Sequence, residues 1–170
     1  MVRLFIALWP DSGVRAELAA WRDRRTWPRK ANPVRSERLH ATVHFIGEVP
    51  EARIPELIAA LRVPFTPFTL DFGHCALWPH GIAVLEPLAP PATLSNLHAA
   101  LGQVLERHGL PVDGRPYQPH VTMARRAAGR NLPASGPAIR WPVGHYALMA
   151  SSGGYATLQR YDKWLNCADG

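Results

Sequence analysis

Lysine is almost missing from this 170-residue chain: Lys30 and Lys163 stand against seventeen arginines. Cysteine is as scarce. Cys75 and Cys167 lie far apart and neither has metal-ligand spacing around it, which excludes a disulfide scaffold or a cysteine-held zinc and points to free thiols in a reducing, cytoplasmic setting. Long hydrophobic runs are absent too. The opening Met1–Trp9 is too short for a signal-peptide core or a membrane span and is closed by Pro10 and Asp11, so no membrane partner is expected. No low-complexity tract, short-period repeat or linker divides the chain, so residues 1–170 read as one two-lobed domain. Acidic residues are in deficit, thirteen against nineteen basic ones, and the resulting charge of +6 suits polyanionic partners. The excess of Arg, Ala and Pro is equally what a GC-rich genome encodes, so the positions of the charges matter more than their sum.

Taken in order, residues 3–9 read as a strand ending at Trp9-Pro10. Asp11 or Ser12 then caps a helix carrying Val14, Leu18 and Trp21 to about residue 25, with Arg22, Arg24 and Arg25 suited to the dipole of its last turns. Residues 28–36 form a basic loop. A short helix is predicted over 51–62, strands over Phe65–Leu77 and Ile82–Leu85 joined at Trp78-Pro79-His80-Gly81, and a helix from Pro90-Pro91 to the stop at His108-Gly109. Tyr146–Ser151 and Tyr155–Trp164 read as closing strands joined by a tight turn at Gly153-Gly154.

Two stretches carry chemistry. Leu39–Ile46 reads as alternating apolar and polar positions, a half-buried strand with Leu39, Ala41, Val43 and Phe45 on the core face and His40, Thr42 and His44 on the open one. In Pro119–Arg125, His120 and Thr122 share a face opposite Val121 and Met123. Arg125 can join His120 only if the strand bulges or ends there. Two imidazoles facing one substrate supply a general base and a general acid without any cofactor, as phosphodiester cleavage requires. A threonine two residues on stands beside each ring and can donate a hydrogen bond to a phosphoryl oxygen as charge builds there.

His40-Ala-Thr42-Val-His-Phe45-Ile-Gly47-Glu and Pro119-His120-Val-Thr122-Met-Ala-Arg125, with the opening Arg3–Leu8 and the closing Ser151-Ser152, resemble the two-histidine phosphoesterases, specifically their LigT-like RNA 2′,3′-cyclic phosphodiesterase, or 2′-5′ RNA ligase, branch. The resemblance runs the whole length of the chain. It implies an α+β fold of two pseudo-twofold-related lobes, each with an antiparallel sheet and helices, and a cleft between them. It also implies cofactor-free and metal-free hydrolysis of an RNA 2′,3′-cyclic phosphate to a 2′-phosphate, with ATP-free 2′-5′ joining as the reverse. Carried over by position, His40 and His120 are the catalytic pair, His120 as base and His40 as acid, while Thr42, Thr122 and Arg125 hold the phosphate. Ala41, Val43 and Met123 replace the branch's usual leucines, and the segment between Ser152 and Tyr155 is shortened to two glycines.

Arg29, Lys30, Arg35 and Arg38, in and after the basic loop, are candidates for contact with the RNA backbone. Trp9, Trp27, Tyr117 and Tyr155 could stack on a base, with Tyr117 kept as a candidate RNA contact, although for each one alone packing in the core or a lobe is the more common duty. The expected partner is RNA ending in a cyclic phosphate, met by a monomer. Three other readings stay open: a related esterase acting on a small cyclic phosphate nucleotide, a non-catalytic RNA-binding module, and a zinc protein using His40 and His44, whose spacing fits a metal only on a helix.

Overall fold

The computed structural model describes residues 1–129, 131–133 and 135–163. The opening strand, β1 (Val2–Leu8), alternates so that Leu4, Ile6 and Leu8 enter the main core while Phe5 and Ala7 join a smaller cluster on the opposite face with Ala147 and Met149. Helix α1 (Ser12–Asp23) starts where Asp11 Oδ1 accepts from the Val14 amide at 2.9 Å, a cap worth about 1 kcal/mol. Its buried Val14, Leu18 and Trp21 face the core, and burying each is worth about 1.5–3 kcal/mol. Arg22 departs from its expected role at the helix end. Only 9% exposed, it donates to the Val34 carbonyl at 2.5 Å and to Ser36 Oγ at 3.1 Å, while Arg15 donates to the Ser36 and Leu39 carbonyls. Both arginines therefore pin the segment that delivers the chain to His40.

That segment holds a short strand, β2 (Asn32–Pro33), where the sequence predicts loop; two residues with one proline carry no periodicity to read. After it come β3 (Ala41–Val49), α2 (Ile54–Ala60), β4 (Phe68–Trp78), β5 (Ile82–Pro87), α3 (Ala92–Arg107) and β6 (Val121–Arg125). Gly81, between β4 and β5, has φ of +72° and lies so close to the backbone at Ala127 and Ala128 that a Cβ would come within 3.0–3.1 Å of their nitrogens.

Among the described residues the tail contains three strands where the sequence predicts two. Strand β7 (Ser135–Val143) precedes β8 (His145–Ala150) and β9 (Ala156–Asp162). Pro137 and Pro142 hide β7 from a pattern search, and their tolerance follows from its place at one margin of the sheet. The turn after β8 is also wider than expected, spanning Ser151–Tyr155, with the Ser151 amide donating to the Arg3 carbonyl at 2.9 Å. The expected run of the last strand to Trp164, and Cys167, lie outside the described residues.

The strands form one antiparallel sheet in the order β7-β4-β5-β6-β3-β1-β8-β9, with β2 laid against β6. Fold class is thus α+β. Helices α1 and α3 cover one face, where Leu94, Leu97, Leu101 and Leu105 meet the main core. Halfway along, β3 and β6 join through the single pair Ala41 and Val121. Among the described residues four strands of the main path stand on either side of this seam, with β2 added at β6, and each half contributes one His-x-Thr motif. Among the described residues no helix is long and apolar enough to cross a membrane.

Candidate active site

Ala41 and Val121 both point into the core with no exposed surface, so their neighbours point to the other face. The local twofold of an antiparallel pair carries His40 onto His120 and Thr42 onto Thr122. In an ideal ladder such diagonal positions lie about 7–8 Å apart. The four side chains line one cavity of about 530 Å³ together with Arg35, Arg38 and Arg125. No carboxylate stands among the described lining residues, so the cavity presents cations and hydroxyls to an anion.

Each imidazole is fixed in the same way. His40 Nδ1–H donates to the Arg38 carbonyl at 2.6 Å and His120 Nδ1–H to the Gln118 carbonyl at 2.8 Å, two residues upstream in both cases. A carbonyl only accepts, so both neutral rings carry their proton on Nδ1 and a lone pair on Nε2. Thr42 Oγ1–H donates to the His40 Nε2 at 3.0 Å. Their surroundings differ. His40 lies among Phe5, Trp9 and Tyr155, with ring centroids 5.1, 5.5 and 5.5 Å away, and burial holds it down to about 4, aided by the charges of His120, Arg15 and Arg125 against the pull of the Arg38 carbonyl. Burial also lowers His120, but the Gln118 carbonyl and Glu86 oppose that shift while Arg125 adds to it.

Arg125 reaches the cavity because β6 bulges. Ala83 pairs with Ala124 and Val84 with Thr122, so Met123 is the extra residue; Met123 and Ala124 are both buried, and Arg125 turns back to the face of His120. Strand β3 is bulged twice, and here the sequence-based assignment of faces fails. Ala7 pairs with Thr42 but Ile6 with His44, and Phe5 pairs with Phe45 but Leu4 with Gly47, so Val43 and Ile46 are the extra residues. His44 is consequently buried on the helix side at 4% exposure rather than beside His40, with Nε2–H donating to the His98 carbonyl of α3 at 2.7 Å and its ring stacked 4.0 Å from that of His98. A zinc shared by His40 and His44 is therefore ruled out by geometry. Phe45, expected in the core, is 61% exposed and lines the cavity beside Phe5, Ser151 and Tyr155.

Of the candidate RNA contacts, Arg35 and Arg38 line the cavity, and the Arg38 guanidinium sits 5.2 Å over the Tyr155 ring. Arg29 and Lys30 are in the preceding loop and do not line it. Tyr117 is corrected: its ring stacks on His98 at 4.2 Å and its hydroxyl donates to the Thr42 carbonyl at 2.9 Å, so it braces β3 from beneath instead of meeting a base. Trp27 likewise packs against the core, its Nε1–H on the Arg22 carbonyl.

A family model described as the 2′-5′ RNA ligase superfamily matches residues 10–154, a span containing both motifs. The chain belongs to this superfamily. Members similar to it include the RNA 2′,3′-cyclic phosphodiesterase of Escherichia coli K12, 31% identical over 153 residues that cover 88% of this chain and 87% of that one. The RNA 2′,3′-cyclic phosphodiesterase of Thermus thermophilus is 29% identical over 165 residues, covering 88% and 82%. Among solved structures, E. coli LigT complexed with 3′-AMP superposes with a TM-score of 0.87 at 28% identity, covering 96% of this chain and 99% of that one. The family match takes in β2 through β8, so strands of both halves of the sheet fall within it.

Proposed function

We propose that this superfamily member hydrolyses the 2′,3′-cyclic phosphate at RNA ends, leaving a 2′-phosphate and a free 3′-hydroxyl, as one two-lobed unit working in the cytoplasm. The observation that supports it most is the pair of imidazoles lining one cationic cavity, each with its Nδ1 proton held by a carbonyl and its Nε2 left as an unprotonated acceptor, that of His40 accepting from Thr42. Water attacks phosphorus in line with the departing 3′-oxygen; one Nε2 takes the water's proton, the P–O3′ bond breaks, and the other ring, protonated, gives its Nε2 proton to O3′. Thr42, Thr122 and Arg125 bind the non-bridging oxygens as their charge grows. Phe45 and Tyr155 offer exposed ring faces to the terminal base, and Arg35 and Arg38 attract the backbone behind it. Attack by a 5′-hydroxyl in place of water gives the 2′-5′ joining reaction.

Two assignments of the rings have support. The family resemblance makes His120 the base and His40 the acid. The surroundings of the rings favour the opposite: burial lowers both, but His40, taken down to about 4, has no carboxylate opposing the shift, whereas His120 has Glu86. Assays on cyclic-phosphate-ended oligonucleotides beside 2′,3′-cyclic mononucleotides, with and without chelator, test the function. Chelator-insensitive turnover to 2′-phosphate, faster on the oligonucleotides, is expected. Turnover confined to mononucleotides makes the protein a small-nucleotide esterase, and tight RNA binding without turnover makes it a binding module.

A further inference from the structure

Glu86 does not line the cavity, yet the register sets it beside His120. The β5–β6 ladder ends at the pair Leu85 and Val121, and one step beyond it Glu86 and His120 follow on the same side of the sheet, while Glu86 in turn pairs with His74 on β4. Side chains opposite on one face have Cβ atoms about 4.5–5.5 Å apart. Both carboxylate oxygens are held: Trp78 Nε1–H donates to Oε1 at 2.6 Å, and His74 Nδ1 lies 3.1 Å from Oε2. The Trp78 ring, tied down by that bond, packs on the His120 ring with centroids 4.2 Å apart and planes inclined by 52°. One carboxylate thus fixes the wall against which His120 rests and faces the ring with a negative charge.

Building on the reading of His120 as one of the catalytic pair, we propose that Glu86 is a positioning residue that stabilises the imidazolium form of His120, with Trp78 and His74 holding the carboxylate in place. His120 passes through that cation in either role: as base it becomes imidazolium when it takes the water's proton, and as acid it begins as one. A fixed anion nearby favours both. The groups facing His120 are Glu86 and His74 from β5 and β4, Arg125 from its own strand, and His40 across the seam, with Arg35 and Arg38 on the same cavity; Glu86 is the anion among them. The charge of Glu86 accordingly works against burial and Arg125.

Glu86→Gln removes the charge and keeps an oxygen to accept from Trp78. In the full-length chain, NMR titration of the histidine rings is expected to show the His120 midpoint falling by about 1 pH unit while that of His40 holds. The pH–rate profile on a cyclic-phosphate-ended dinucleotide should move with it, kcat at pH 7 dropping about 3- to 10-fold with KM unchanged. Glu86→Asp, which restores the charge, should recover part of both. An unmoved His120 midpoint, or equal movement of both rings, overturns the inference. Trp78→Phe leaves the charge but frees it, and a smaller fall in the same direction is expected; if Glu86→Gln does not fold, an unmoved midpoint in Trp78→Phe overturns it instead. The titration needs no turnover, so an inactive protein whose His120 midpoint falls sinks the proposed function and leaves this inference standing.

Discussion

The surroundings of His40 and His120 share a backbone device and differ in nearly everything else. Each ring gives Nδ1–H to the carbonyl two residues upstream, and each leans on a tryptophan from an Ala-Leu-Trp-Pro tetrapeptide, residues 7–10 for His40 and 76–79 for His120. The two tryptophans differ in what holds them. Trp9 carries the Arg15 guanidinium 4.9 Å over its ring, whereas Trp78 is bonded to Glu86. Burial, with the charges of His120, Arg15 and Arg125 behind it, drives His40 toward the neutral form; burial lowers His120 too, but there the Gln118 carbonyl and the Glu86 carboxylate oppose it. Near-symmetric backbones thereby give two chemically unequal imidazoles, which is what a reaction needing an acid and a base at the same pH demands.

The largest effect expected is the loss of either ring. His40→Ala and His120→Ala should each slow hydrolysis of a cyclic-phosphate-ended oligonucleotide by about 10²- to 10⁴-fold, and the double variant should lose far less than the product. Fully multiplicative losses in initial rates would mean that the two rings act independently. A substrate with sulfur in place of the 3′-oxygen sharpens the inequality, because thiolate departs without a proton. The alanine variant of the acid should then recover about 10²-fold in single-turnover rate, and that of the base should not. Recovery by His40→Ala upholds the assignment drawn from the family, and recovery by His120→Ala upholds the one drawn from the surroundings of the rings.

Thr42→Val and Thr122→Val should each lower kcat by about 10²-fold, as loss of a donor to a charging phosphoryl oxygen does. The halves should part in their pH profiles. Thr42 donates to the bare Nε2 of His40 and so stabilises the neutral ring. Its loss should raise the His40 limb, and an unmoved limb would show that the bond is not made in solution.

The smallest effect concerns His44 and His98 beneath β3. Burial lowers both, His98 to about 4 from an ordinary 6.5, with the His44 charge adding to the shift and Asp113 opposing it. The unfolded chain therefore binds protons first as pH falls; the stability His98 contributes is complete above about 6.5 and lost on the way down to about 4, and His44 adds a loss in the same direction. Urea midpoints should decline across that window, and His98→Phe, which keeps a ring for the stack, should flatten the decline. An equally steep decline in that variant would trace the acid sensitivity to other groups.

Much of this was legible from residue order. The two motifs, the helices bearing Leu18 and Leu101, and the need for a bulge before Arg125 all follow from periodicity and parity. Parity misled at β3, because a bulge moves every later side chain to the other face; the adjacent apolar pair Phe45-Ile46 was the trace it left in the sequence. What Tyr117, Trp78 and Glu86 do was invisible for another reason. Their roles depend on which strands pair, and nothing local specifies that Glu86 meets His120 or that a tyrosine beside one motif reaches a carbonyl in the other.

The single pair Ala41 and Val121 also has a kinetic meaning. Its members are eighty positions apart in the chain, and closing a loop of that length costs about 4 kcal/mol in chain entropy, of which little is repaid until the flanking strands are in place. Catalytic competence should therefore be among the last properties to return on refolding. Helical signal should recover ahead of activity, and the lag between them would time the moment at which the two halves of the sheet meet.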